Sequence, residues 1–235
     1  MSICTTKLTP IEKYGDWLFK RGDKFILGDD GVNGEKLRFI LSTLTKKKEY
    51  IEKNHNGVVS CLNIKPNTNS SINVNLACDI LGLEYSTTDD NGFLMTQSID
   101  DASFYYYEDV IHQVENIPSD LDLFVISCGS CHTLYAVLCG FERYGNKPKR
   151  IVAIGKKKPK TICYPLMERY GVEYYIRKNA QYNHFEPPIE LDYRHELHAW
   201  CFLHTHIPYD KDGKNLFWIT GNFNKFHQDN PSYKK

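Results

Sequence analysis

Short apolar runs alternate with amphipathic stretches along most of the chain. Residues 23–48 predict a short strand, a glycine-rich turn and a helix whose apolar positions recur at helical spacing, namely Leu37, Ile40, Leu41 and Leu44. Residues 57–84 repeat the scheme with a strand, a polar turn and a helix that Gly82 would end. The apolar stripe of that second helix consists of Leu76, Ile80 and Leu83.

The second half of the chain continues this alternation. Residues 121–145 predict an apolar strand, a polar turn and an apolar helix, and residues 149–155 predict a buried strand. The later elements follow in the order helix, strand, helix and strand, at residues 159–171, 172–178, 191–204 and 215–221. Only residues 85–120 are less regular, with one amphipathic helix near their end. The pattern therefore predicts an α/β fold with a largely parallel, twisted sheet flanked by helices.

Composition and charge narrow the classes of function. The 235 residues are 41% hydrophobic, which suffices for a substantial core. Lysine plus arginine equals aspartate plus glutamate at 29 each, so no global field attracts nucleic acid, which is a disfavoured partner. The lysine runs at residues 46–48, 156–160 and 234–235 are expected to lie on solvated faces or in a tail.

The cellular setting is also an expectation. The sequence has no secretory signal and no apolar run that could span a bilayer, so we expect an intracellular, cytoplasmic protein with reduced thiols. Of its eight cysteines, Cys78 and Cys139 fall in apolar helical patterns and are expected to be buried small residues. The many asparagine, lysine, tyrosine and isoleucine residues suggest an AT-rich genome such as that of a virus.

The string Cys128-Gly-Ser-Cys131-His132 allows several kinds of chemistry. Its spacing is compatible with haem attachment, a dithiol redox site, or half a zinc site completed by His204 and His206. It lies, however, between a predicted strand and a predicted helix, where free backbone N–H groups and the helix dipole favour an anion such as phosphate. Gly129 permits close approach, and Ser130 and Thr133 add hydroxyl donors. The alternatives are a structural loop or a metal or redox site.

Two further turns precede predicted helices. GDDGVNGEKLR places Lys36 just inside a helix start, where the positive dipole end favours a lowered pKa and a nucleophilic amine; an ordinary exposed lysine is the alternative. PNTNSS contains Asn69 and Ser70, which either cap the following helix or present polar groups to a ligand.

The order of these motifs resembles the pyridoxal-phosphate enzymes of the tryptophan-synthase-β type (fold type II). The nearest branch is the aminocyclopropane-carboxylate deaminase and D-cysteine desulfhydrase group. The likeness rests on GVNGEKLRFIL, Thr68-Asn69-Ser70, the CGSCHT turn, LDYRHELH and Thr220-Gly221, and it runs from about Lys20 to Asn222. The chain departs from the family pattern at Cys131 and His132, where small glycines are usual, and at His195, where tyrosine is usual. It is also shorter, mainly between Leu83 and Asp120.

The resemblance implies a role for each candidate residue. Lys36 would form the Schiff base with pyridoxal 5'-phosphate and then act as a base. Asn69 would contact the phenolic oxygen of the cofactor, Ser70 would take the substrate carboxylate, and Glu196 or Thr220 would meet the pyridine nitrogen. His195 would be a second acid–base group. The phosphate cup would consist of Gly129, Ser130, Cys131, His132 and Thr133.

The implied protein is a lyase- or deaminase-like enzyme acting at the α- or β-carbon of an amino acid, by elimination, deamination or β-replacement. Residues 1–235 would form a single unit, with a reduced small lobe within 50–120 and the phosphate-cup lobe at 121–235, and the unit would form a homodimer. Three alternatives remain: a binding or regulatory relative, a viral enzyme acting on an amino acid attached to a modified nucleotide, and a zinc or redox protein using Cys128 and Cys131.

Overall fold

A computed structural model describes most of the chain. The described residues are 5–25, 34–62, 64, 69–89, 91–95, 104–129, 131–177, 185–192 and 195–221. The strands are β1 (Ile11–Tyr14), β2 (Trp17–Arg21), β3 (Val58–Ser60), β4 (Glu84–Ser86), β5 (Phe93–Leu94), β6 (Leu123–Cys128), β7 (Arg150–Gly155), β8 (Glu173–Ile176) and β9 (Asn215–Ile219). The α-helices are α1 (Glu35–Asn54), α2 (Asn69–Leu81), α3 (Phe104–His112), α4 (His132–Tyr144), α5 (Tyr164–Arg169) and α6 (Glu196–His206).

The strands form two sheets. The main sheet has the order β1-β2-β9-β6-β7-β8, in which only the β1–β2 pair is antiparallel. A small sheet has the order β4-β3-β5, and both of its pairings are parallel. This architecture confirms the predicted α/β class with a largely parallel sheet.

Helices cover both faces of the main sheet. Phe124 and Ile126 of β6 pack into a large core with residues of α1, α2, α3 and α4. Leu123 and Val125 of the same strand pack on the opposite face with Trp200 of α6. Because successive strand residues point to opposite faces, a strand buried on both sides must be apolar throughout, as β6 is. None of the helices in the described part is both long and apolar enough to cross a membrane.

Several element boundaries correct the sequence predictions. Gly22–Lys24 forms a 3-10 turn where the first strand was expected to begin, and residues 26–33 lie outside the described ranges, so the rest of that strand stays a prediction. A strand that was not predicted is Trp17–Arg21. Its apolar pattern is concealed by Lys20, which is fully buried in the sheet. The short strands β1, β4 and β5 were not predicted, and Leu83 lies beyond α2, although Gly82 ends that helix as expected. The helix expected from residue 191 begins only at Glu196.

The start of α1 is attached to the end of β9. Gly34 forms an isolated antiparallel bridge with Gly221, and the Glu35 N–H donates to the Thr220 carbonyl over 2.8 Å. Gly34 has φ 122° and ψ −163°, a backbone conformation essentially restricted to glycine. A Cβ atom at Gly34 would lie 2.3 Å from the Thr220 carbonyl oxygen. Glycine is therefore required where these two segments meet.

We predict that Gly34→Ala lowers the free energy of unfolding by about 3 kcal/mol or more, because it combines backbone strain with a backbone clash. Gly57→Ala is the matched control, because Gly57 also has a positive φ, of 78°, but no atom would lie within 4 Å of its Cβ. The control should cost about 1 kcal/mol. Urea denaturation of both variants measures the difference, and equal losses would contradict the close junction.

Candidate functional site

The candidate residues gather at the carboxyl edge of the main sheet. The parallel strands β2, β9 and β6 are neighbours, and Arg21 pairs with Ile219 at the end of the first two. The turn after β9 contains Thr220, and the turn after β6 begins at Gly129. In open α/β sheets, ligands bind in the crevice outside the carboxyl ends of the strands. The fold thus places the Thr220 turn and the CGSCH turn at adjacent positions of this edge.

Lys36 is the second residue of α1, as the sequence predicted. It directly follows Glu35, whose N–H is bonded to Thr220, so the junction with β9 fixes its backbone. Its side chain is partly buried, and this burial lowers the pKa of the ammonium group. A desolvated lysine is more often neutral near pH 7, and the neutral amine is the nucleophilic form.

Glu196 and Thr220 meet at the same place. One carboxyl oxygen of Glu196, Oε1, accepts hydrogen bonds from the Thr220 N–H over 3.1 Å and from the Thr220 hydroxyl. Glu196 is 1% exposed, and burial raises the pKa of its carboxyl group to about 8, with the nearby Asp192 carboxylate acting in the same direction. The carboxyl group therefore retains its proton at neutral pH. The structure brings together the two residues predicted as alternative partners of one ring nitrogen.

His195 immediately precedes this buried acid. It is the N-cap residue of α6, is exposed, and donates its backbone N–H to Asp192 Oδ1 over 2.9 Å. Its position next to Glu196 is compatible with a place at the rim of the site. Its predicted acid–base role stays a prediction.

The turn after β6 leads directly into the start of α4. Cys131 is the N-cap of α4 in the left-handed conformation, with φ 65° and ψ 4°, and α4 begins at His132. A helix start directs backbone N–H groups and the positive end of the helix dipole toward the preceding turn, which favours an anion there. Gly129 is exposed and its missing Cβ meets no atom within 4 Å, while Ser130 lies outside the described residues.

The side chains of Cys131 and His132 turn into the protein. Cys131 is 3% exposed, and its sulfur lies 3.5 Å from the Tyr174 hydroxyl. The His132 ring contacts the Tyr107 hydroxyl through Nδ1 and lies 3.5 Å from Lys160 Nζ through Nε2. Both side chains are therefore accommodated inside the protein.

The remaining predicted contacts lie outside what the structure describes. Asn69 and Ser70 are the first two residues of α2, but their side chains are not among the described atoms, and Thr68 is outside the described ranges. Their predicted contacts with the cofactor and the substrate carboxylate stay predictions.

The zinc hypothesis is not supported. His204 packs with Trp17, Trp200 and Tyr209 on the α6 face of the sheet, whereas Cys128 and Cys131 belong to the core on the opposite face. Within the described ranges, no group of three histidine, cysteine, aspartate or glutamate side chains could hold a metal ion.

The sequence analysis missed a cluster of buried ionisable side chains, which lies between the first turn of α1 and β2. Glu35, Arg38 and Lys20 are each at most 2% exposed, and Glu35 Oε2 lies 3.2 Å from Arg38 Nε. Lys20 Nζ donates to the Thr9 carbonyl over 2.8 Å and to Asn116 Oδ1 over 2.6 Å. Burial lowers the pKa of Lys20 to about 7, although Glu35 opposes this change. The one available signal was the position of Lys20 directly after the apolar run of residues 17–19.

Comparison with solved structures supports the fold. The structure of an ACC deaminase homologue aligns with a TM-score of 0.57 at 16% identity, over 95% of this chain and 92% of that chain. Threonine deaminase isoform 2 from Solanum lycopersicum aligns with a TM-score of 0.48 at 12% identity, over 94% of this chain and 81% of that chain.

A third structure, O-acetylserine-dependent cystathionine β-synthase from Helicobacter pylori, aligns with a TM-score of 0.43 at 9% identity, over 99% of both chains. No protein-family model and no curated protein matches the sequence. The first alignment, together with the parallel sheet and its helical layers, confirms the predicted tryptophan-synthase-β-like α/β fold.

We predict that Glu196 makes the protein less stable as pH rises. Its folded-state pKa of about 8 lies above the unfolded value of about 4.3, so ionisation is favoured by unfolding between these limits. In that interval, Glu196 lowers the free energy of unfolding by up to about 1.4 kcal/mol for each pH unit. Above the folded-state pKa its contribution no longer changes with pH. Urea denaturation at several pH values should show a flatter dependence for Glu196→Gln.

Glu186→Gln is the control, because Glu186 is an exposed glutamate in the segment before α6. It should retain the full pH dependence of the unmodified protein. If Glu196→Gln and Glu186→Gln gave the same profile, Glu196 would not hold a proton in the folded state.

Proposed function

We propose that this chain binds pyridoxal 5'-phosphate and acts on an amino acid at its α- or β-carbon, in an elimination, deamination or β-replacement. The observation that carries the proposal is a junction at the end of β9, beside the turn that starts α4. There Thr220 is bonded both to the Glu35 N–H, next to Lys36, and to the Glu196 carboxyl group. The fold, shared with an ACC deaminase homologue, supports the same conclusion.

The residues present fit this cofactor. An aldehyde needs an amine that can become neutral, and burial of Lys36 favours that form. The pyridine nitrogen needs a hydrogen-bonding partner that is shielded from solvent. Glu196 is buried and is hydrogen-bonded to Thr220. A phosphate needs backbone N–H donors, which the start of α4 supplies, with Lys160 near His132 adding positive charge.

Lys36 would have two roles in the reaction. Lys36 Nζ would hold the cofactor and, once displaced by the substrate amine, take the proton from the substrate α-carbon. When bound, pyridoxal phosphate withdraws electrons from that carbon and so makes the proton removable.

Glu196 and Thr220 would control the proton at the ring nitrogen. The Glu196 carboxyl group holds a proton at neutral pH and can share it with an adjacent base, while the Thr220 hydroxyl orients Oε1. A protonated ring nitrogen strengthens electron withdrawal, so we expect Glu196→Gln to lower turnover more than cofactor affinity. His195 is the candidate for a second proton transfer at the rim.

The Lys36 amine should react selectively with pyridoxal phosphate. We expect the unmodified protein to gain absorption near the visible range with pyridoxal phosphate, and borohydride to fix one cofactor mass on the peptide that contains Lys36. Lys36→Ala should lose this label, whereas Lys47→Ala, which removes an exposed lysine of the same helix, should keep it. Circular dichroism checks that both variants fold.

Peptide mapping of the unmodified protein shows whether Lys36 carries the label, even if a variant fails to fold. Label spread over surface lysines, with Lys36 unmodified, would contradict the proposed function. A labelled Lys36 together with a shift of the absorption band by particular amino acids would identify the substrate class.

A further inference from the structure

The segment that precedes β1 is held mainly through its backbone, and we call residues 5–10 the strap. Gln113, which directly follows α3, donates through Nε2 to the Thr6 carbonyl over 3.2 Å and to the Lys7 carbonyl over 3.0 Å. Gln113 Oε1 accepts the Thr9 N–H over 2.9 Å. One fully buried side-chain amide thus binds three peptide groups of the strap.

The carboxyl end of the strap is bound to β2. The Thr9 carbonyl accepts hydrogen bonds from Lys20 Nζ over 2.8 Å and from Asn116 Nδ2 over 3.0 Å. The Pro10 carbonyl accepts the Arg21 N–H over 2.9 Å. A buried amine such as that of Lys20 needs acceptors, because a buried donor without a partner is unfavourable. The strap supplies one acceptor, and Asn116 Oδ1 supplies another.

The other end of the strap is bound to the first turns of α1. Arg38 Nη1 donates to the Thr5 carbonyl, and Arg38 Nε lies 3.2 Å from Glu35 Oε2. Glu35 is therefore held twice, by Arg38 through its side chain and by Thr220 through its N–H. Because Lys36 follows Glu35 directly, the backbone that carries the candidate nucleophile is connected to the strap.

The strap itself buries few side chains. Thr9 is buried, whereas Thr6, Lys7 and Pro10 are exposed. A cavity of about 290 Å³ borders the strap and is lined by residues 7–10, Lys24 and Phe25. Segments with few buried apolar contacts open more readily than the core to which they are attached. The docking of the strap therefore depends mainly on its hydrogen bonds.

We propose that the strap is a releasable clamp on the start of α1, and that its docking controls the reactivity of the Lys36 amine. With the strap docked, the Thr5 carbonyl fixes Arg38 beside Glu35. When the strap leaves, Arg38 and Lys20 lose backbone acceptors, so water must replace these acceptors.

Entry of water at the first turn of α1 changes Lys36 in a defined direction. Burial lowers the pKa of Lys36 in the docked state, and hydration favours the ammonium form instead. Release of the strap therefore makes Lys36 a weaker nucleophile. This inference rests on the proposed function for the chemistry of Lys36, and it adds a means of regulating that site.

Acetylation by acetic anhydride follows both lysines in the whole protein. Lys20 is fully buried, so its acetylation reports release of the strap. The pH dependence of Lys36 acetylation gives the pKa of that amine. Tandem mass spectrometry of chymotryptic peptides assigns the acetyl groups. The fully buried Cys78 thiol reacts with N-ethylmaleimide only when the core unfolds, which separates local release from global unfolding.

Gln113→Leu is the test variant, because it removes three hydrogen bonds to the strap backbone and keeps a side chain of similar size. We expect acetylation of Lys20 to rise at least about tenfold while Cys78 stays protected. The midpoint of the Lys36 profile should rise toward the ordinary value of about 10.4. Lys7→Ala is the matched control, because the bond between this strap residue and Gln113 uses the backbone carbonyl. It should leave both lysines unchanged.

Two results would overturn the proposal. In the first, Lys20 stays protected in Gln113→Leu; in the second, Lys20 becomes reactive while the Lys36 profile does not change. If the variant does not fold, urea titration of the unmodified protein decides. Lys20 should then react at lower urea concentrations than Cys78, and simultaneous reaction of both would show that the strap does not release separately.

Labelling with pyridoxal phosphate and borohydride separates this proposal from the proposed function. Lys36 should be labelled less in Gln113→Leu than in Lys7→Ala, and equal labelling would contradict control by the strap. If Lys36 is labelled in neither variant nor in the unmodified protein, the proposed function fails. Acetylation still decides in that case whether the strap controls this amine.

Discussion

The attachment of α1 to the end of β9 determines where the candidate chemistry lies. Gly34 and Glu35 use their backbones to contact Gly221 and Thr220, so the first turn of α1 cannot move independently of the main sheet. From the opposite face of the sheet, Glu196 reaches Thr220 with its carboxyl group. Segments far apart in the sequence thus meet at one strand end, and Lys36 directly follows the residue of α1 that is bonded to Thr220.

Burial then gives these groups their unusual proton affinities. Desolvation lowers the pKa of Lys36 and raises that of Glu196 to about 8, so burial favours the neutral form of both groups. The cluster of Lys20, Glu35 and Arg38 places further charges in the core behind α1. Buried charges cost folding free energy, which is consistent with a region retained for function rather than for stability.

Much of this architecture could be predicted from the sequence. The apolar run of β6, the helix α4 and Lys36 near the start of α1 all follow from local periodicity, because each element is long or lies between clear turn residues. The resemblance also paired Glu196 and Thr220 as alternatives, and the structure shows that they are hydrogen-bonded to each other.

Other features depend on contacts that periodicity does not contain. Lys20 interrupts the apolar pattern of β2, yet it can be buried because the Thr9 carbonyl and Asn116 Oδ1 accept hydrogen bonds from its Nζ. The strands β4 and β5 have only three and two residues, too few for alternation to be visible. The left-handed backbone of Cys131 could not be predicted, since residues other than glycine rarely adopt it.

The central claim is that Lys36 and the start of α4 act on one molecule. The most direct measurement compares the rate at which Lys36 is labelled by pyridoxal and by pyridoxal phosphate, with borohydride trapping and peptide mapping. We expect a strong preference for the phosphorylated compound, which inorganic phosphate should remove by competition. Equal rates for the two compounds, unaffected by inorganic phosphate, would contradict a shared site.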